Sequence, residues 1–236
     1  MLGKAKVGSA VFLGLTLCAM LLSLYAIFIY APIEKTMGIV QKIFYFHLSL
    51  AFLSFFAFFI VFVASIIYLY NRDIRWDTFA HSSAEVGVIF CSLVLITGPI
   101  WARPIWNVWW TWDPRLTTTL ILWFMYVAYL MIRKLLKHGS QQSNVASVFG
   151  IISFINVPIT FFAIRMWRTI HPVVIDTKGV HISTPMLTTL VITLGAFTLL
   201  FVLLLKIAVR VENTMREYQD LRLSFEKNKF RPMRKG

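Results

Sequence analysis

Six uninterrupted apolar runs constrain what this chain can fold into more than any other feature. They fall near residues 8–31, 44–70, 84–101, 116–132, 145–165 and 185–208 of 236. Each approaches the roughly 17 to 25 residues that an α-helix needs to cross a hydrocarbon core about 30 Å thick. The runs are continuous, without the dyad alternation of barrel strands, which excludes a membrane β-barrel. The expected fold is an all-α membrane protein: a six-helix transmembrane bundle over residues 1–208, with a basic tail over 209–236. The fourth run is the shortest, and His81 and Glu85 stand where the third begins. The first run follows Lys4 and Lys6 as a signal peptide core would. It continues to Ala31 and Pro32 without a small-residue cleavage signal, so it is read as a retained helix.

An even number of spans puts both termini on one side of the membrane, and the basic residues say which. Sixteen Lys and Arg fall on the side of the termini and seven on the other, so both termini are expected in the cytoplasm. The tail decides this; the internal loops alone do not. The net charge of +13 lies mostly at span ends and in the tail. Anionic headgroups of the lipid bilayer account for that placement, and no nucleic acid partner is expected. Val211, Met215, Tyr218, Leu221 and Phe225 recur at helical spacing in the tail, as in a helix lying on headgroups.

Between the third and fourth runs, residues 101–115 read WARPIWNVWWTWDPR. Five of the eight tryptophans, Trp101, Trp106, Trp109, Trp110 and Trp112, lie within twelve positions there. A single interfacial tryptophan is usually a membrane anchor, but an anchoring belt spreads over both faces, whereas these five crowd one. A flat apolar partner is the other reading. His47, in KIFYFHLSL, and His171, in MWRTIHPVV, reach the same outer face under this topology. Two neutral imidazoles beside an aromatic platform are what a bis-histidine haem requires, one axial nitrogen from each side of the iron. Arg103 and Arg115 flank the tryptophans and have guanidinium forks suited to propionate carboxylates. Asp113, followed by proline, has the signature of a helix N-cap, with orientation of an indole or arginine as a second role. A lone histidine near a span end is more often a hydrogen-bonded loop residue, and His81 and His138 are read so. His181 is a reserve candidate on the outer side.

Other chemistry finds no footing. No nucleophile has an identifiable base, no carboxylate pair lies close in sequence, and no GxxxxGK[ST] phosphate loop occurs. An enzyme is not expected. Cys18 and Cys91 lie in separate spans and form neither CxxC nor CxxCH, so disulfide formation and covalent haem attachment are excluded.

WARPIWNVWWTWDPRLTTTLIL resembles the WWD segment of the haem-handling proteins of cytochrome c maturation. Length, six spans and one histidine on each flank make the chain similar to their haem exporter protein C (CcmC) family, from KIFYFH to RTIHP. The resemblance implies non-covalent haem b held at the outer face of the bacterial cytoplasmic membrane, with His47 and His171 as axial ligands of its iron. It implies that the WWD segment, here residues 101–113, presents haem to the periplasmic chaperone CcmE. It implies, as partners, the small protein CcmD and the ABC transporter subunits CcmA and CcmB. Asn107 stands where the family pattern has glycine, and Arg103 where lysine is common.

Two other classes remain as alternatives. A b-type cytochrome for electron transfer usually carries histidine pairs at both membrane depths, whereas ligand candidates here lie on one face. A permease without haem would use the tryptophans only as anchors. Pro158 is the sole strong mid-helix breaker, which is fewer than paired broken helices require.

Overall fold

A computed structural model describes residues 2–136, 139–169, 171, 175–176, 179–180 and 182–229. His138 and His181 lie outside them. The fold is all-α, with six helical segments long and apolar enough to cross a membrane. In chain order they are α1 (Leu2–Tyr25, extended by a widened turn Ala26–Tyr30), α2 (Ile43–Asn71), α3 (Ile74–Trp106) and α4 (Pro114–Leu135). The fifth is α5 (Ser140–Phe154) with α6 (Asn156–Met166), and the sixth is α7 (Thr184–Lys229). A two-residue hairpin, Ile175–Asp176 against Gly179–Val180, lies in the loop before α7.

The most apolar helix, α2, is central and packs against α3, α5 and α7. A Cβ on Gly87 would sit 2.7 Å from a ring carbon of Phe58, so glycine is what lets α3 approach α2. Phe58 stacks on Tyr126 of α4 at 3.7 Å between ring centroids, and Trp123 Nε1 donates to Ser92 Oγ at 2.8 Å. These contacts tie α2, α3 and α4 into one core. Helix α1 is peripheral and packs on α7. Ser23 Oγ donates to Thr193 Oγ1 at 3.4 Å, while Val11, Leu15 and Leu21 face outward. Outward-facing leucine and valine need no protein partner in hydrocarbon.

The structure departs from the sequence expectation at three spans. Helix α3 begins at Ile74, ten residues before the expected 84, because its polar first turns are neutralised. Asp77, with 0% exposure, receives Arg133 Nη1 at 2.6 Å, Arg133 Nη2 at 2.8 Å, Ser143 Oγ at 2.8 Å and Arg216 Nη2 at 2.5 Å. Hydrophobicity windows see only the charge, not the partners that arrive from α4, α5 and α7. The fifth span is two helices. Pro158 lacks the N–H that would bond Phe154, and the helix breaks at Ile155, whose N–H turns to Ile152 O at 3.2 Å. Asn156 Nδ2 then donates to the Thr118 carbonyl at 3.0 Å, tying the break to α4. The sixth helix does not stop near 208. Arg216 holds Glu212 at 2.8 Å as well as Asp77, so α7 stays docked to the bundle into the basic segment.

Candidate functional site

The segment 101–115 adopts a helix end, a turn and a helix start. Helix α3 closes at Asn107, whose φ of 57° is left-handed and whose N–H bonds Arg103 O at 3.0 Å. Asparagine, like glycine, tolerates that conformation. The chain restarts at Asp113, whose carboxylate accepts from the Arg115 N–H at 2.9 Å, with Pro114 at the first helical position. The N-cap reading of Asp113 thus agrees with the geometry.

Below this turn lies a cavity of about 300 Å³. Its walls come from α2, α3, α4, α6 and the loop after α6. The structure brings together around it His47, His171, Trp101, Trp106, Trp110 and Arg115. His47 and His171 face each other with ring centroids 6.3 Å apart and planes inclined by 41°. Trp101 lies 5.9 Å from His47 and 6.5 Å from Trp106, centroid to centroid. Four expected residues are elsewhere, among them Asp113, which caps α4 and does not line the cavity. Trp109 and Trp112, 60% and 76% exposed, face outward, and Arg103 lies over Trp109 at 6.0 Å and donates to Asn107 Oδ1. Arg103 precedes the left-handed turn at Asn107 and Trp109 and Trp112 follow it, all outside the cavity lining.

A hydrogen bond orients the first imidazole. Thr97 Oγ1 donates its one proton to Leu93 O at 2.8 Å, and His47 Nδ1 lies 2.9 Å from the same oxygen. When the hydroxyl proton goes to the Leu93 carbonyl, Thr97 Oγ1 accepts from His47 Nδ1–H, the tautomer that leaves the Nε2 lone pair free. His171 is set differently. Its backbone N–H donates to Thr169 Oγ1 at 3.0 Å, and its buried Nδ1 has no partner among the described residues. Burial pushes the His171 imidazole down to about 3, helped by the positive charge of Arg115 and by His47, with Asp113 opposing. Burial thus favours at His171 the neutral form that ligates metal.

Sequence reasoning missed Thr97 and Arg165. Thr97 sits in an apolar run, and only its spacing one turn from the WWD segment hinted at a role. Arg165 was counted as an outer-side charge, yet it lines the cavity and overlies Phe161 at 5.8 Å. Arg115 Nη1 donates to Phe161 O at 3.2 Å, so two guanidinium groups stand at the loop end of the cavity. Cys18 and Cys91 are both free thiols.

Residues 3–224 match the profile of the family Heme exporter protein C. The chain is 34% identical to Heme exporter protein C of Bradyrhizobium diazoefficiens, over 82% of this chain and 74% of that protein. It is 29% identical to Heme exporter protein C of Rhodobacter capsulatus, over 82% and 81%. It is also 31% identical to a putative cytochrome c biosynthesis ccmC-like mitochondrial protein of Marchantia polymorpha, over 78% and 76%. A family match over residues 3–224, with a relative 34% identical over 82% of the chain, makes this chain a member of the Heme exporter protein C (CcmC) family.

Proposed function

We propose that the protein handles haem for cytochrome c biogenesis: it holds non-covalent haem b between His47 and His171 and passes it to the chaperone CcmE. The observation that carries this reading is the 6.3 Å between the two imidazole centroids. Metal–imidazole bonds of about 2 Å, plus about 1 Å from each nitrogen to its ring centre, separate two axial rings by about 6 Å. The donor set fits as well: His47 offers Nε2 and His171 is neutral, while Trp101, Trp106 and Trp110 supply aromatic faces for a macrocycle. Arg115 and Arg165 suit its carboxylates.

The exposed Trp109 and Trp112, beside Arg103, suit a different task. They form an outward aromatic surface for the chaperone to dock on, next to the cavity but outside it. The basic excess on the side of the termini supports a cytoplasmic tail and a periplasmic site in the bacterial inner membrane. CcmD, CcmA and CcmB complete the proposed assembly. The chain itself binds, orients and shields the cargo. Bond formation to CcmE would belong to haem and the chaperone's own residues.

Coexpression with CcmE tests this. His47→Ala and His171→Ala should abolish covalent haem on the chaperone. Trp109→Ala and Trp112→Ala should reduce transfer while leaving haem on this protein. Unchanged chaperone haem in both histidine variants would end the proposal.

A further inference from the structure

We infer that the cavity opens sideways into the hydrocarbon of the leaflet on the His47 side, between α2 and α6, and that its tetrapyrrole cargo is exchanged there with the bilayer. This rests on the haem reading above for its cargo, but the opening rests on helix packing alone.

Helix α6 packs along α4 and only lightly against α5; it shares no packed face with α2 or α3. On one side of the break at Ile155, α5 lies on α2; on the other, α6 lies along α4 instead. Beneath the break the two sides are joined, with Phe154 stacked on Phe62 at 4.5 Å and Phe59 at 5.9 Å. Above it they part. The opposite wall is closed by α3 packed on α4, which leaves α2 and α6 as the jambs of a lateral opening.

The jambs are apolar. Phe52 lines the cavity from α2 and is still 39% exposed; Phe161 lines it from α6, and its neighbour Phe162 is 47% exposed. In a spanning helix such exposure faces lipid, and the side chains at these positions are apolar, suited to hydrocarbon or a porphyrin edge. Phe55, the deepest aromatic of α2 in the lining, is eight residues below His47, about 12 Å along a helix. The cavity is therefore polarised, with His47, His171, Arg115 and Arg165 at the loop end and phenylalanines toward mid-membrane. Haem has the same polarity, two carboxylates on one edge and an apolar opposite edge. A ring sliding in from the leaflet would keep its carboxylates at the interface throughout.

The test uses the full chain in lipid nanodiscs. Haem is offered either dissolved in donor liposomes or bound to aqueous serum albumin, and growth of the haem absorption band is followed. A second sample carries Phe162→Cys, on the α6 jamb but outside the cavity lining, with Cys18→Ser, alkylated by a bulky maleimide. The unblocked protein should load several-fold faster from liposomes, and the alkylated one should lose that advantage while reaching the same final spectrum. Equal liposome loading by both, or faster loading from albumin, overturns the lateral route. If neither source yields a haem spectrum, the haem reading falls, and a spin label at Phe55→Cys decides the opening by itself. Relaxation dominated by lipid-soluble oxygen upholds it, and relaxation dominated by an aqueous nickel chelate overturns it.

Discussion

The smallest unit that matters here is a pair of side chains. Thr97 Oγ1 holds His47 Nδ1 at 2.9 Å, and removing such an outer hydrogen bond typically lowers metal affinity roughly 10- to 100-fold. Thr97→Val should therefore weaken haem retention by about that factor in a haem-competition titration, and Thr97→Ser should restore it. Equal retention in both variants would show that His47 is oriented otherwise. His171 yields a pH dependence. Its folded pKa is pushed down to about 3, below the ordinary value near 6.5. The unfolded chain takes up a proton below about pH 6.5 that the folded chain refuses, so stability falls as pH drops from there toward 3. Between pH 7 and 5 the haem-free protein should lose about 1–2 kcal/mol that a His171→Gln variant keeps. Thermal unfolding of the two proteins at both pH values checks this, and parallel losses would contradict it.

At the scale of elements, the Asp77 cluster and the α5–α6 break do the positioning. Asp77→Ala strands Arg133 and Arg216 in the core, and breaking a buried pair of this kind costs about 3–5 kcal/mol. Arg75→Ala removes only the exposed ion pair with Asp73, which water screens, and leaves the Asp73 cap of α3 in place. Melting followed by helical circular dichroism should separate the two variants clearly, and similar shifts would mean that the cluster does not hold α3, α4 and α7 together. The sequence foretold neither feature completely. Pro158 is visible as a breaker, but where the helix yields depends on Asn156 finding the Thr118 carbonyl. The neutralisation of Asp77 depends on Arg133 and Arg216, which lie 56 and 139 residues away in sequence.

At the scale of the whole molecule, the six-span bundle was legible because hydrocarbon forces long apolar runs, a signal that survives without any tertiary information. The candidate site was legible in part. His47, His171 and three of the five tryptophans converge on one cavity, while Trp109, Trp112 and Arg103 lie outside its lining, around the left-handed turn at Asn107. Spacing alone gives no sign of that turn, since asparagine is an ordinary loop residue until its φ is known. Thr97 and Arg165 were hidden for the same reason, each taken for a generic member of its segment. The topology makes its own prediction: reporter fusions after residue 229 should be active in the cytoplasm, and fusions within residues 102–113 should be active on the opposite side. The central claim concerns the two histidines, and the visible absorption spectrum of the purified protein beside His47→Ala and His171→Ala tests it most directly. A low-spin bis-histidine haem spectrum in the parent, lost in both variants, is the predicted result. An identical spectrum in all three proteins would contradict it.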